Sequence, residues 1–172
     1  LPEHTHIPVS QETRVPLGGD VSIGDYPRSL DPIVALSAAA TVTSAIRLGT
    51  GVSLVAQHHP IALAKATATL DLLSAGRFVM GVGYGWNREE MAHHDVAYRT
   101  RRARVRETML AIKELWSHDE AEFHGEFVDF EPSWLWPKPV QSSGPPILIG
   151  GGASSALFDH IAEYGDGWIP IG

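Results

Sequence analysis

Apolar strands and helices alternate along this chain in a pattern that few folds can accommodate. An almost wholly apolar, β-branched segment covers residues 46–55, and a second short apolar segment covers residues 77–83. They start about 30 residues apart with a helical stretch between them, which is the span of one β-α-β unit with parallel strands. Strands that are apolar on both faces are typical of parallel sheets covered by helices. The sequence therefore predicts an α/β fold.

Local signals set the limits of the predicted elements. Asp31 can cap a helix that starts at Pro32, and Pro60 opens a second helix, which Gly76 closes at the C′ position. The other predicted elements are a long loop over 1–30, a short helix that Asn87 and Glu90 begin as a capping box, a helix over 98–116, a hairpin over 121–130, strands over 146–150 and 166–171, and a helix over 153–164.

Two α/β architectures compete for this pattern, the doubly wound sheet and the (β/α)8 TIM barrel. The glycines at 81, 83 and 85 do not match the G-x-G-x-x-G turn of a dinucleotide fold, because the third glycine is misplaced. Long loops follow several strands at their carboxyl ends, as in a barrel. We therefore predict one domain over 1–172 that is part of a TIM barrel. The chain starts without methionine and stops on an apolar run, so we expect a longer protein to contain it.

The composition restricts the kinds of partner. Acidic residues outnumber basic ones by 20 to 13, and the resulting net charge of -7 repels nucleic acid and anionic membranes. The chain has no cysteine, which excludes disulfides, a thiolate nucleophile and cysteine-ligated metals and fits a cytoplasmic protein. No apolar run reaches the roughly 20 residues that cross a bilayer. We expect a small-molecule substrate.

Glycines mark the carboxyl ends of three predicted strands, which a barrel would bring together where active sites lie. Glycine allows a flat ligand to approach the backbone, and the last three glycines precede a helix, whose amino end attracts phosphate. The alternative is that these glycines form turns or pack closely. The candidate cofactor-binding residues are Thr50, Gly51, Val52, Gly83, Tyr84, Gly85, Trp86, Gly150, Gly151 and Gly152.

Histidine provides the candidate acid–base group. His4 ends a predicted strand beside Glu3, and imidazole exchanges protons near neutral pH. His4 and His6 also form an H-x-H pair, which could begin the metal site of a TIM-barrel hydrolase. Such a site needs further ligands at later strand ends, where this sequence has glycine, so no metal ligand is assigned. A structural or solvated role remains open for each histidine.

Two charged residues are predicted on the opposite, amino-end face of the barrel. Asp71 and Arg77 lie where a helix turns into the next strand. We expect a salt bridge between them that serves stability, since the amino-end face of a barrel does not carry the active site.

The chain resembles the bacterial luciferase-like monooxygenase family, especially its members that depend on the deazaflavin coenzyme F420. The matching segments are PEHTHIP, IRLGTGVSLVAQHHPIALAKATATLDLLSAGRFVMGVGYGWNREE, WPKPVQ, PPILIGGGAS and YGDGWIP, in this order over nearly the whole chain. The resemblance implies a (β/α)8 barrel, present from the end of strand 2 to strand 6. It also implies F420 or FMN at the carboxyl-end face.

The resemblance further implies roles for individual residues. His4 would face the reactive ring, with Glu3 at the acidic position before it. Gly51 and Val52 would form a bulge with a non-prolyl cis peptide bond, there or one residue later. Residues 83–85 would border the ring or its tail, and residues 150–152 the phosphate.

One residue departs from the pattern of sugar-phosphate dehydrogenases in this family. Those relatives have an acidic proton donor where this chain has Trp86, and the nearby Glu89 and Glu90 lie further along a helix. Sugar-phosphate oxidation is therefore not expected. His4 would act alone, or the proton would come from solvent.

The resulting prediction is hydride transfer between F420 and a small organic substrate, catalysed by a protein that is a homodimer at full length. One alternative is an FMN-dependent monooxygenase of the same family, since both cofactors present a similar ring and phosphate. The alternative from another class is a metal-dependent hydrolase that uses His4 and His6. The third alternative is a fragment without catalytic activity, because an incomplete barrel need not hold a cofactor.

Overall fold

A four-stranded parallel sheet forms the centre of the fold. The computed structural model describes residues 1–10, 12–13 and 23–171. Each pair of neighbouring strands runs parallel, which requires a crossover between them. The strands in spatial order are β1 (Leu48–Gly49), β2 (Phe78–Val82), β5 (Ile147–Gly151) and β6 (Gly167–Pro170).

The described residues form five α-helices, which precede or connect these strands and cover the sheet. The helix starts predicted at Pro32 and Pro60 are confirmed, and the Asp31 carboxylate accepts the Val34 N–H at 2.9 Å. Among the described residues, no helix is long and apolar enough to cross a membrane. The helices are α1 (Pro32–Val42), α2 (Pro60–Leu73), α3 (Arg88–His93), α4 (Arg101–Ser117) and α5 (Ser155–Tyr164).

The predicted hairpin is confirmed as a separate two-stranded sheet. Its strands β3 (Glu120–His124) and β4 (Asp129–Trp134) pair antiparallel, with an irregularity in register between Ala121 and Phe123. The carboxylate of Glu107 in α4 accepts hydrogen bonds from backbone N–H groups of the turn, at residues 126–128. The hairpin is thereby fixed to the outer helix.

The core lies between the parallel sheet and helices α2 and α4. Fully buried side chains come from the inner faces of both helices, from β5, and from one face of β2, where Phe78, Met80 and Val82 alternate with the partly buried Val79 and with Gly81. The largest of them are Phe78, Leu70, Met80, Met109, Ile112, Leu115, Ile147 and Ile149.

The first predicted strand is much shorter than the apolar segment 46–55. Only Leu48 and Gly49 pair continuously with β2, and the next contacts are isolated bridges at residues 52 and 53. Residues 55–57 form a turn of 3-10 helix, and Leu54 is buried. The segment is apolar because it continues into the core after the strand ends.

Two smaller expectations are corrected by backbone conformation. Helix α2 ends at Leu73, with Ser74 as its C-cap, so Gly76 lies one residue beyond the predicted C′ position. Ala75 takes that position with φ of 52°, and Gly76 follows with φ of 77°. The predicted loop 1–30 contains a 3-10 helix over Ile23–Arg28, and its residues 11 and 14–22 lie outside the described part.

The expected salt bridge between Asp71 and Arg77 is not found among the described residues. Asp71 is completely buried, and its carboxylate accepts hydrogen bonds from the N–H groups of Val140 and Gln141 and from the Gln141 side chain, at 2.7–3.1 Å. Arg77 donates instead to backbone carbonyls at the ends of α1 and α2. Arg77 thus pairs carbonyls near helix ends, and Asp71 pairs N–H groups of the loop before β5.

Candidate active site

A cleft of about 380 Å³ opens at the carboxyl ends of β2 and β5. Its volume lies in the range of small-molecule sites. The N-terminal segment and the ends of three strands meet there, as a barrel requires. The lining residues are Pro2, Glu3, His4, Tyr26, Val52, Leu54, Gly83, Tyr84, Gly85, Trp86, Gly150, Gly151, Gly152 and Ile171.

Two of the predicted cofactor-binding residues lie outside this lining. Thr50 is buried, and its hydroxyl exchanges hydrogen bonds with the carbonyl and N–H of Gly81, both at 2.8 Å. Gly51 donates its N–H to the carbonyl of Leu1. Both residues therefore hold neighbouring backbone segments together.

The expected non-prolyl cis peptide bond at Gly51 and Val52 is absent. The one cis bond in the described ranges joins Trp136 and Pro137. The backbone at residues 52 and 53 instead forms parallel bridges with residues 2 and 82, so it continues the direction of the sheet.

Val52 occupies the space that two of the predicted glycines provide. A β-carbon on Gly83 would lie 2.8 Å from one Val52 methyl, and a β-carbon on Gly150 would lie 2.5 Å from the other. The close-packing alternative therefore holds for these two positions. Gly152 differs, because a β-carbon there would meet only the Ile171 carbonyl at 3.6 Å. Its backbone has open space beside it.

Gly150→Ala should lower the free energy of unfolding by about 1–3 kcal/mol, the usual cost of overpacking. In a Val52→Ala background the same change should cost much less, because the interfering methyl is gone. Urea denaturation of the four proteins gives this double-mutant cycle. Gly152→Ala is the control and should be nearly neutral in both backgrounds. A cost at Gly150 that is independent of residue 52 would contradict the packing assignment.

His4 is held by a second residue that sequence reasoning did not assign. Its Nδ1 lies 2.8 Å from Oε2 of Glu90, and the two side chains are only 6% and 1% exposed. A carboxylate accepts hydrogen bonds but cannot donate them, so with Glu90 ionised Nδ1 carries a proton. Nε2 of a neutral ring is then free to exchange a proton. Glu90 is thus a partner of His4 that the expectation of a lone His4 did not include.

Helix α3 places Glu90 next to His4. Asn87 caps this helix as predicted, and its side chain accepts the Glu90 N–H at 2.9 Å. Within the described ranges, the second carboxylate oxygen, Oε1, has no hydrogen-bond partner. Because the cap fixes the first turn of the helix, the position of the Glu90 side chain is fixed as well.

Two aromatic rings flank His4 and form with it what we call the aromatic corner, consisting of His4, Tyr26 and Trp86. The centroid of the His4 ring lies 4.9 Å from that of Tyr26 and 5.5 Å from that of Trp86. The Tyr26 and Trp86 centroids are 6.2 Å apart, and all three pairs meet edge to face at 62–78°. The imidazole is thus confined on two sides.

Glu3, the other predicted catalytic residue, directs its carboxylate away from the aromatic corner. The carboxylate accepts hydrogen bonds from the Ser53 hydroxyl, the Leu54 N–H and Nε2 of His58, at 2.6–2.8 Å. Burial alone would raise the pKa of Glu3, but these bonds outweigh it and lower the pKa. Burial would likewise lower the pKa of His58, and Glu3 raises it. This geometry favours a role in fixing the N-terminal segment.

The Glu3–His58 pair should make stability depend on pH with a definite sign. The raised pKa of His58 adds stability that is complete below about pH 6.5 and is lost as pH rises through that pKa. The lowered pKa of Glu3 adds stability that is present above about pH 4.5 and is lost as pH falls through that pKa. The pair is therefore strongest between these two values.

The measurement is urea unfolding of the natural protein and of His58→Gln at about pH 5.5 and pH 9. We expect a difference of about 1.5 kcal/mol or more at the lower pH, the usual contribution of a charged hydrogen bond, and a smaller one at the higher pH. His59→Gln changes the exposed neighbouring imidazole and is the control. A His58 effect that grows with pH would contradict the assignment.

The remaining histidines do not assemble into a metal site. His6 stacks on His93 with centroids 5.1 Å apart, and Thr5 links His6 to His94. His4 contacts Glu90 and His6 contacts His93, so the two histidines of the H-x-H pair lie in different environments. The described ranges contain no group of three histidine or acidic side chains that could hold a metal ion. The geometry thus offers no support for a hydrolase based on His4 and His6.

Sequence reasoning missed four residues that matter at the cleft: Tyr26, Leu54, Glu90 and Ile171. Leu54 and Ile171 belong to apolar runs that were assigned only as strands, and lining residues could have been sought there. Glu90 was considered as a capping signal and as an acidic residue further along a helix than Trp86, but not as a partner of His4. Tyr26 lies in the segment predicted as a loop over 1–30, which has no periodicity, and no sequence signal connects it with His4.

Comparisons with known proteins agree with this geometry. The family model described as luciferase-like monooxygenase matches residues 15–172. The uncharacterized protein Rv0953c of Mycobacterium tuberculosis is 51% identical over 98% of this chain and 60% of its own length. The F420-dependent hydroxymycolic acid dehydrogenase of that organism is 34% identical over 82% of this chain and 39% of its own length.

Two further proteins extend this similarity. The FMNH(2)-dependent dimethylsulfone monooxygenase of Pseudomonas putida is 34% identical over 66% of this chain and 32% of its own length. The monooxygenase RslO1 from Streptomyces bottropensis has a similar structure, with a TM-score of 0.78 and 32% identity over 84% of this chain and 44% of its own. The chain thus spans at most 60% of the length of these relatives. Its parallel sheet is part of a (β/α)8 barrel, and the chain belongs to the luciferase-like monooxygenase family.

Proposed function

We propose that this chain carries the acid–base centre of an oxidoreductase that transfers a hydride between coenzyme F420 and a small organic substrate. The observation that carries the proposal is the His4 imidazole, which lines the cleft and is held through Nδ1 by a buried carboxylate. The similarity to an F420-dependent dehydrogenase over most of the chain supports the choice of cofactor.

The cleft has suitable surfaces for a planar cofactor. Val52 presents an apolar face between two strand ends, against which a flat ring can pack. Gly152 has open space beside its backbone and precedes helix α5, whose amino end would favour a phosphate. Gly85 would border the ring or its tail. When bound, the cofactor supplies the hydride donor or acceptor, and the protein supplies position and electrostatics.

His4 would move the proton that accompanies the hydride. Nε2 accepts the proton of a substrate hydroxyl during oxidation, or returns a proton to a carbonyl oxygen during reduction. An ionised Glu90 accepts a hydrogen bond from Nδ1, which would leave Nε2 as the nitrogen that exchanges. It also stabilises the positive charge that the imidazole gains after accepting a proton. Tyr26 and Trp86 keep water from two sides of the ring.

An FMN-dependent monooxygenase is the second candidate. The similarity to an FMNH(2)-dependent monooxygenase over 66% of the chain is the observation that favours it. Val52 and Gly152 would serve the ring and phosphate of FMN in the same way, because both cofactors share these parts.

Binding of purified natural protein to F420 and to FMN, followed by cofactor fluorescence, separates these candidates. We expect F420 to bind at least about 10-fold more tightly, a difference of about 1.4 kcal/mol. Gly152→Asp should weaken binding at least about 10-fold, because its carboxylate repels the phosphate. Gly152→Ala is the matched control and should bind normally. Preference for FMN would select the second candidate, and binding of neither cofactor would contradict both.

A further inference from the structure

We infer that the cleft selects an uncharged substrate with a flat, apolar body, and that Tyr26 is the residue that recognises this body. The inference rests on the proposed function in placing the substrate beside His4. It is carried by two observations, the chemistry of the lining side chains and the geometry of the aromatic corner.

Among the described residues, the lining offers no cationic side chain to a negatively charged substrate beside His4. Among the described residues that line the cleft there is no lysine and no arginine. Among the described residues, Arg102 lies outside this lining with its guanidinium 5.1 Å from the ring centroid of the lining residue Tyr84, while Arg101 and Arg88 both stack on Tyr98. A phosphate or carboxylate on the substrate would lose its hydration here without gaining a cation.

A positively charged substrate also lacks a free counter-ion in this lining. Glu3 is the one acidic lining residue in the described ranges, and its two oxygens are bonded to Ser53, Leu54 and His58. Glu90 lies behind His4 and is 1% exposed. Both carboxylates therefore already have an imidazole as partner, which favours a neutral substrate.

The remaining walls are apolar and shaped for a flat group. Val52, Leu54 and Ile171 contribute aliphatic surface, and the aromatic corner contributes rings that stand steeply to one another. A planar ligand that stacks on one such ring meets the edge of another, which is the favoured geometry for aromatic pairs. The corner therefore suits an aryl or cyclic ketone, or the corresponding alcohol.

Tyr26 is held in place as a recognition residue would be. Its carbonyl accepts both the N–H and the hydroxyl of Ser29, at 3.2 and 3.0 Å, which closes the turn that presents the ring. Its ring is half-buried and contacts both other rings of the aromatic corner, so it forms one wall of that corner.

The test uses three probes that share a tolyl ring and differ in charge: 4-methylacetophenone, 4-methylbenzoate and trimethyl(4-methylphenyl)ammonium. Their Kd values are measured on the natural protein by ligand-observed NMR, with and without cofactor. We expect the neutral ketone to bind at least about 10-fold more tightly than either ion. Equal or tighter binding of the anion or of the cation would overturn the inference.

Variants separate recognition by Tyr26 from nonspecific binding to the protein. Tyr26→Leu should weaken the ketone about 5- to 10-fold, in line with the value of an aromatic pair. Tyr26→Phe keeps the ring and should bind like the natural protein. Tyr98→Leu removes a tyrosine outside the cleft lining and should have no effect. Unchanged ketone binding in Tyr26→Leu would also overturn the inference.

The outcome is separable from that of the proposed function. If neither F420 nor FMN binds while the ketone shows the expected preference and Tyr26 dependence, the proposed function alone fails. If F420 binds and His4→Ala abolishes turnover, but the best substrates are anionic, the inference alone fails.

Discussion

His4→Ala is expected to lower kcat about 100-fold or more while leaving the cofactor Kd within about threefold of its natural value. A positioned general acid or base contributes roughly 10²- to 10⁴-fold to a reaction rate. The structure supplies the conditions for such a contribution, because Glu90 fixes the proton on Nδ1 and two aromatic rings fix the plane of the imidazole. Alanine removes the exchanging Nε2 and leaves Val52 and Gly152, the proposed cofactor contacts, in place.

Steady-state kinetics with F420 and fluorescence titration of the cofactor together test this expectation. His6→Ala is the matched control, since it removes a half-buried imidazole two residues away that stacks on His93 outside the cleft. Its kcat should stay within about twofold of the natural value. A large loss of cofactor affinity in His4→Ala with unchanged kcat would assign the imidazole to binding instead of proton transfer.

The parts of this fold that sequence reasoning obtained correctly are those set by local chemistry. Asp31 and Asn87 cap helices because a side-chain oxygen reaches an N–H group three residues ahead. Proline at the first helical position and continuous apolar strands are equally local signals. The short length of β1 does not follow from local sequence, because Leu54 is buried in a core that other helices form.

At the candidate site, the direction of two neighbouring side chains follows from a rule that sequence reasoning did not apply. Successive residues of extended chain point to opposite sides. Glu3 and His4 therefore diverge, and Glu3 contacts His58 while His4 contacts Glu90. The same rule would place His4 and His6 on one side, but a bend at Thr5 separates them.

Other parts of the site depend on contacts between distant residues. Glu90 lies 86 positions after His4, and only the packing of α3 beside the N-terminal segment brings them together. The roles of the glycines could not be predicted from the sequence either. Whether Gly150 admits a ligand or a neighbouring side chain depends on Val52, which comes from another strand end.

Asp71→Ala is expected to cause the largest loss of stability, about 3–5 kcal/mol in the free energy of unfolding. Asp71 is completely buried near the end of α2, and its carboxylate accepts three hydrogen bonds from Val140 and Gln141. Alanine would leave these donors without their acceptor, and an unsatisfied buried donor costs about 1–3 kcal/mol. The three donors lie just before β5, so the loss also loosens the connection between α2 and the sheet.

Urea denaturation followed by circular dichroism measures the effect, with the slope of the transition as a check on two-state behaviour. Asp71→Asn should be intermediate, because one oxygen still accepts while the new amide group faces N–H donors. Asp159→Ala removes an exposed acid of α5 and should stay within about 0.5 kcal/mol of the natural protein. A cost below about 1 kcal/mol for Asp71→Ala would mean that water replaces the carboxylate. Asp71 would then not be what joins α2 to the sheet.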